Sequence, residues 1–462
     1  MERRARVRAA AAGLFLVVLC AAAQNRARTF YVATDGNDSH NGLAPAREKG
    51  SRGPFRTLMR AARAVRAGDT VLIRGGTYRA GSTWTADGTE ARPITISNYG
   101  GEPVVIDGDG FKIPGGGNDV LLQVYGDWCV VRNLEVRHSS GYGVAVHGRH
   151  CRVDNVYAHD NWGSGIYITG WHGLLVDCRA SRNSLLNEKF RPHEGTWGFG
   201  ISACRHPQYT TIRGCTSWDN WGEGISTFES HHITIEDCVS YNNQQNYYIS
   251  DTKYCLFRRN LSYFTPGNPI QGYVMQNGIL IGDEKRNPAS SDNVVINNLS
   301  MGGERNFAAG GNQLVKVLVA NNTFVDASPT AGAESACVYF FGGRATGARF
   351  VNNIVSQQGS TAVSRLEANG ISFRRNNWSR RPVRGCRGAG DVLGDPGLLK
   401  AGPAGPGALT VEWFRISPGS PARDRAERLG EVQEDATRTP RLGKPDIGAL
   451  EAPAFRQPAR PR

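Results

Sequence analysis

Apolar positions come in short, β-branched runs, and no long helical periodicity interrupts them. The runs share a pattern: apolar, two variable residues, then Asn or Cys, then a variable and a small residue. It appears as Val131-Arg132-Asn133-Leu134, Val153-Asp154-Asn155-Val156, Val176-Asp177-Cys178-Arg179, Ile212-Arg213-Gly214-Cys215 and Ile235-Glu236-Asp237-Cys238. It continues to Arg375-Asn376-Asn377. The key position falls at 133, 155, 178, 215, 238, 260, 298, 322, 353 and 377. Most steps are 22 to 24 residues, and three are longer by about 7 to 15. A second strand opens on glycine before most key positions, as in Gly141-Tyr142-Gly143-Val144 and Gly222-Glu223-Gly224-Ile225. The expected fold is all-β: a parallel β-solenoid of about ten coils, two or three strands each, joined by Asn/Gly turns. Asn at equivalent turns predicts a hydrogen-bonded ladder.

This period changes how 462 residues are understood. The length exceeds one ordinary globular core, yet a stack needs only one continuous apolar column. The 57 glycines lack a three-residue period, which excludes collagen. The 41 aromatics argue against wholesale disorder. No apolar run beyond residue 23 could span a bilayer. Nine cysteines follow Cys20 with no C-x-x-C pair, which disfavours zinc. Cys178, Cys215 and Cys238 fall in successive coils about 4.8 Å apart, compatible with a disulfide or with stacked buried thiols, and the thiols are favoured.

Residues 1–23 have the form of an export signal: Arg3, Arg4, Arg6 and Arg8, then an apolar run from Ala9 to Leu19, then Ala21-Ala22-Ala23. Bulky Leu19 disfavours a lipoprotein cleavage at Cys20. The expected location is secreted or periplasmic. The formal charge is +13, about +10 once residues 1–23 are removed. Such a basic exported chain suits an acidic polysaccharide, though arginine-rich composition alone accounts for the charge equally well. Nucleic acid is disfavoured, because no basic run with interleaved aromatics occurs. No transmembrane span is expected after cleavage, and a monomer is expected.

The coils resemble a right-handed parallel β-helix of the pectate lyase superfamily. The N-terminal order Phe30-Tyr31-Val32, Asp35-Gly36-Asn37-Asp38, Pro54 to Leu58, Gly68-Asp69-Thr70-Val71 and Gly76-Thr77-Tyr78 resembles family 9-like polysaccharide lyases. The resemblance implies a helix from about Pro54 to Arg66 capping the core. Ser417 to Ala422 and Pro445 to Glu451 resemble the closing segment of such proteins. The expected organisation is an N-terminal cap and first strands over 24–93, the β-helix over 94–385 and a closing segment with a basic tail over 386–462. The resemblance also implies a tight Asp cluster beside the helix, which the sequence lacks, so no family residue is carried over.

Candidate chemistry comes from the long steps, whose extra residues would wall a groove across the intervening coils. One insertion holds Lys189, Arg191, His193 and Glu194, and the other spreads over 264–276 and 283–291. Trp162, Trp197 and Trp221 recur in Trp-Gly-x-Gly-Ile and predict a stack that either faces sugar rings or packs a turn. Counting from the strand glycines places Arg205, Glu229, Lys253 and Asp283 in one column, with Asp251, Glu284, Lys285 and Arg286 nearby. A surface ion-pair network is the plain alternative.

β-Elimination of a uronate needs a cation on the C6 carboxylate, a base for the C5 proton and help for the leaving oxygen. Lys253 is assigned as base and Arg205 as charge neutraliser. Glu229, Asp251 and Asp283 are candidate calcium ligands. Trp162, Trp197, Trp221, Lys189, Arg191, His193, Lys285 and Arg286 are candidate substrate contacts. The favoured function is a lyase acting on an acidic, uronate-containing polysaccharide. The alternatives are a non-catalytic carbohydrate-binding or surface protein and a glycoside hydrolase, for which Glu194, Glu223 and Glu229 could supply carboxylates without any Asp-Asp pair.

Overall fold

A computed structural model describes residues 26–109, 119–189, 198–272, 275–285, 290–329 and 334–452. Residues 1–23, read from the sequence as an export signal, lie outside these, as do Arg191, His193, Glu194, Trp197 and Arg286. Among the described residues three parallel sheets run the length of the molecule. Sheet 1 has 13 strands from Thr29–Val32 to Ser372–Arg374. Sheet 2 has 11, from Ser82–Trp84 to Ala362–Leu366. Sheet 3 has 13, from Gly76–Tyr78 to Val392–Leu393. Each coil passes from sheet 2 to sheet 1 to sheet 3, so the molecule is a right-handed parallel β-helix. The pairing starts at Thr29, so the stack begins within the segment read as cap and first strands, ahead of the ten sequence repeats.

Inward positions supply one apolar column. Ile166, Ile201, Ile225, Tyr247, Ile279 and Phe307 are directly paired in successive coils of sheet 2, and each is fully buried. At its open end sits a helix of only five residues, Leu58–Ala62, shorter than expected. The Thr57 hydroxyl caps it by accepting the Arg60 N–H at 3.1 Å. Leu58, Ala61 and Ala62 bury their side chains against the same column.

The turn from sheet 1 to sheet 3 explains the repeat. Its first residue has positive φ in coil after coil: Asn133, Asn155, Asp177, Gly214, Asp237, Arg259, Asn297, Asn321, Asn352 and Arg375. The left-handed region favours Gly, Asn and Asp, and the next residue then points inward. That inward column is Leu134, Val156, Cys178, Cys215, Cys238, Asn260, Asn298, Asn322, Asn353 and Asn376, as strand register requires. The sequence pattern is therefore one residue out at 133, 155 and 377. From Asn260 to Asn376 the buried amides form the expected ladder: each backbone N–H donates to the next Asn Oδ1 at 2.8–2.9 Å. Asp391 ends it, accepting the Asn376 N–H at 2.9 Å. A second buried ladder, Asn161–Asn183–Asn220–Asn243–Asn246, lines the turn from sheet 3 to sheet 2.

All nine cysteines after Cys20 are free and buried. Cys178, Cys215 and Cys238 are thus stacked thiols.

The C-terminal segment does not simply close the far end. It folds back along the outside of sheet 3, where Leu409, Phe414 and Leu450 pack on Tyr241, Tyr263 and Met301. Arg438 reaches Asp237 at 2.7 Å, and Glu434 reaches Arg259 at 2.8 Å. Arg259 is buried and also binds Glu236 at 2.9 Å, so these ions clasp the segment to the middle coils.

Candidate functional site

Carried one residue past the paired Cys204–Phe228, Phe228–Ser250 and Ser250–Gly282, the register lines up Arg205, Glu229, Asp251 and Asp283 on successive coils. This corrects the expected column. Lys253 lies two residues past it, exposed at the edge and paired with His231. The count from the strand glycines fails there because Asn246 occupies the position of Gly224 and Gly278 and turns its amide into the buried ladder. The column holds one cation and three carboxylates.

Those carboxylates are already engaged. Glu229 pairs with Lys285 at 3.0 Å, which raises the lysine pKa. Asp251 Oδ1 accepts the backbone N–H groups of Glu284 and Lys285, each at 3.2 Å. Asp283 Oδ2 accepts the Gln313 N–H at 2.8 Å. Calcium asks for about six to eight oxygens. Among the described residues no cluster of three His, Cys, Asp or Glu side chains is arranged to hold a metal. The residues proposed as calcium ligands do not fit that role, and they instead fasten the loop after the Asn277–Gly282 strand.

The outward face of sheet 2 carries the more reactive groups, between the two insertions. Outward positions on successive coils are Phe199, Ser202 and Cys204, then Glu223, Ser226 and Phe228, then Gln245, Tyr248 and Ser250. Glu223 is 9% exposed, and burial pushes its carboxyl up to about 7, with Ser226 opposing and Glu284 reinforcing the shift. Ser226 is the direct strand partner of Tyr248. The Tyr248 hydroxyl donates to Glu284 Oε1, and burial pushes the phenol pKa well up. Gly282 permits this: a Cβ there would lie 2.6 Å from the Tyr248 oxygen. Upstream, Tyr142 and Tyr167 feel the exposed Arg205 guanidinium, which opposes the upward push of burial on both phenols. Cys204 is driven up to about 12 by burial, which leaves it a neutral thiol. Lys285 Nζ stands 5.6 Å from the Phe228 ring centroid. Tyr248, Tyr142 and Tyr167 escaped the sequence reading because aromatics in strands look like core.

The other candidates scatter. Trp162 is 40% exposed at the turn from sheet 3 to sheet 2, while Trp221 is buried there and accepts the Asn187 amide at 2.8 Å. Lys189 ends the Leu185–Lys189 helix beside them. A different ring stack exists that the sequence reading missed: Trp128, His150, His172, Tyr209, His232 and Tyr254, one per coil, with centroids 4.1–5.1 Å apart. Each residue has positive φ at the corner where sheet 2 gives way to sheet 1. Their faces cover one another, so this ladder stiffens the edge of the face.

Residues 30–327, more than half of the chain, match the family model described as the Pel9A-like right handed beta helix region. The chain belongs to the Pel9A-like β-helix family. It is 26% identical over 448 residues to "Pectate lyase L" of Dickeya chrysanthemi, covering 92% of this chain and 90% of that one. It is 25% identical over 272 residues to "Pectate lyase PEL9" of Emericella nidulans, covering 51% of this chain and 60% of that one. The crystal structure of pectate lyase Pel9A superposes with a TM-score of 0.52 at 20% identity, covering 92% of this chain and 96% of that chain. That last likeness speaks to the fold. Family membership joins the chain to the Pel9A-like β-helix proteins, while Glu229, Asp251 and Asp283 are not arranged to hold calcium.

Proposed function

We propose that the protein is an exported polysaccharide lyase that cleaves an acidic, uronate-containing polymer by β-elimination on the outward face of sheet 2. One observation carries the reading. The nearly buried Glu223 carboxyl sits on the outward face of sheet 2, with Arg205 beside Tyr142 and Lys285 beside Phe228 on the same face. A cation beside the C6 carboxylate lowers the barrier to losing the C5 proton, and arginine pairs well with a planar carboxylate. Export rests on residues 1–23 alone. Lys253 faces solvent at the margin of this face, where it suits attraction of a polyanion better than proton abstraction.

The test is incubation of the purified protein with pectate, alginate and glycosaminoglycans. Ultraviolet absorbance from new unsaturated ends supports the reading. New reducing ends without that absorbance indicate a hydrolase, and binding without cleavage indicates a carbohydrate-binding protein.

A further inference from the structure

The insertion after the Leu261–Tyr263 strand walls a cavity that the lyase reading leaves unused. It lies where sheet 3 gives way to sheet 2, across the turns that follow Leu261–Tyr263, Leu299–Met301, Thr323–Val325 and Ile354–Ser356. The returning C-terminal segment closes one side with Gly402 and Pro403. Ala404 packs just beyond them on the outside of sheet 3, and the Gly407 N–H donates to the Tyr263 hydroxyl at 2.7 Å, so this wall is fixed. The cavity measures about 320 Å³, at the small end of ligand pockets. Glu304 and Asp326 line it from adjacent coils. Glu304 is 8% exposed; its Oε2 accepts the Gln276 N–H at 3.2 Å, and its Oε1 accepts no hydrogen bond from any described residue. Asp326 Oδ1 accepts the Gln358 N–H at 2.7 Å, and its Oδ2 is likewise open among the described residues. Burial raises both carboxyls above their ordinary pKa. No Lys, Arg or His stands among the described lining residues. The arginines that act on these carboxyls from outside are committed, Arg305 to Glu334 at 2.6 Å and Arg380 to the Thr361 carbonyl at 2.7 Å. Phe264, Pro266, Met301 and Pro403 give the cavity an apolar side.

We propose that this cavity binds one uncharged sugar ring, whose hydroxyls donate to Glu304 Oε1 and Asp326 Oδ2 while its C–H face rests on Met301 and the prolines. A hydrogen bond to a carboxylate held away from water is stronger than one between neutral groups. Two acceptors fixed by backbone N–H groups on neighbouring coils also orient the ring. Gln271, whose side-chain carbonyl accepts the Gly267 N–H at 2.6 Å, turns its amide NH2 to a further hydroxyl. A uronate is excluded, because its carboxylate would meet two others with no cation in the lining. The volume admits one ring and not a length of chain, so a polymer enters by an end or a branch. That the hydroxyl-rich ligand is a sugar rests on the carbohydrate reading above. The protein thereby takes an acidic backbone on sheet 2 and a neutral unit at the corner beside it.

The test is ligand-observed NMR and calorimetry on the full protein with free D-glucose, D-galactose, D-mannose and D-xylose, set against D-glucuronate and D-glucosamine. At least one uncharged sugar should bind with a Kd on the order of 1 mM, the range of a ligand with about a dozen heavy atoms, and glucuronate should not bind. Glu304→Gln and Asp326→Asn keep an acceptor for the Gln276 and Gln358 N–H groups and should each weaken that binding about tenfold. Gly359→Trp fills the mouth without touching either carboxyl, since a Cβ there meets only the Gln357 amide at 3.7 Å. It should abolish binding and leave the circular dichroism spectrum unchanged. The proposal is overturned if no uncharged sugar binds up to about 20 mM, if glucuronate or glucosamine binds better, or if these variants bind like wild type. Cleavage of polymer is scored separately. A wild type that releases unsaturated ends yet binds no free sugar sinks the cavity proposal alone. One that binds an uncharged sugar yet cleaves no polymer sinks the lyase reading alone.

Discussion

Replacing Glu223 with glutamine tests the buried carboxyl without any substrate. The side chain is 9% exposed and its pKa is raised from 4.5 to about 7. At about 1.4 kcal/mol per pKa unit, keeping it ionised in the fold costs on the order of 3 kcal/mol. The sign follows from proton counts. Between pH 4.5 and about 7 the folded protein holds this proton more tightly than the unfolded chain. This contribution to stability is therefore intact below 4.5 and lost as pH rises through about 7. Glutamine has the same shape and no charge to bury. Thermal or urea unfolding of both proteins from pH 4 to 9 should show Glu223→Gln gaining stability relative to wild type as pH rises. The gain should level off near pH 8 at up to about 3 kcal/mol. A difference between the two proteins that does not vary with pH would refute the reasoning, because the Glu223 carboxyl would then titrate alike in folded and unfolded states.

Four further outcomes are expected. Asn322→Leu should lose on the order of 3 kcal/mol or more in urea unfolding, because Asn298 and Asn353 each lose a buried partner along with Val295 O and Ala320 O. Arg259→Met should free the returning C-terminal segment, seen as faster proteolysis between 394 and 452, and should cost about 1–3 kcal/mol, because Glu236 keeps Arg213 and Arg258 while Glu434 loses its partner. Gly282→Val should displace the buried Tyr248 ring and cost about 1–3 kcal/mol in urea unfolding, since a Cβ there meets the phenol oxygen at 2.6 Å. The nine buried thiols should resist a thiol reagent until the protein is denatured, and reducing agent should leave Tm unchanged.

The fold was legible because a solenoid writes the same local rule many times. A left-handed Asn, Asp or Gly followed by an inward residue repeats in eight of ten turns, so the exceptions at Arg259 and Arg375 scarcely blur the period. The register was harder. At Asn133 and Asn155 the visible asparagine is the left-handed residue, and the inward one is Leu134 or Val156. Asn246 standing where other coils have glycine displaced the charge column by two residues and made Lys253 look central. Chemistry was the least legible part. Carboxylates at 229, 251 and 283 look like ligands in a sequence, and only their backbone and lysine partners show how they are spent. Tyr248 and Glu223 acquire meaning from burial and from neighbours on adjacent coils, which no local pattern records. The folding back of the C-terminal segment depends on pairs such as Arg438 with Asp237, 201 residues apart.

The central claim is that this face of the β-helix performs elimination on an acidic polymer. Mass spectrometry of the oligosaccharides released from pectate, alginate and glycosaminoglycans tests it most directly. The account predicts products with unsaturated ends, one water lighter than the corresponding hydrolysis products. Products of full hydrolytic mass, or intact polymer throughout the panel, would contradict it.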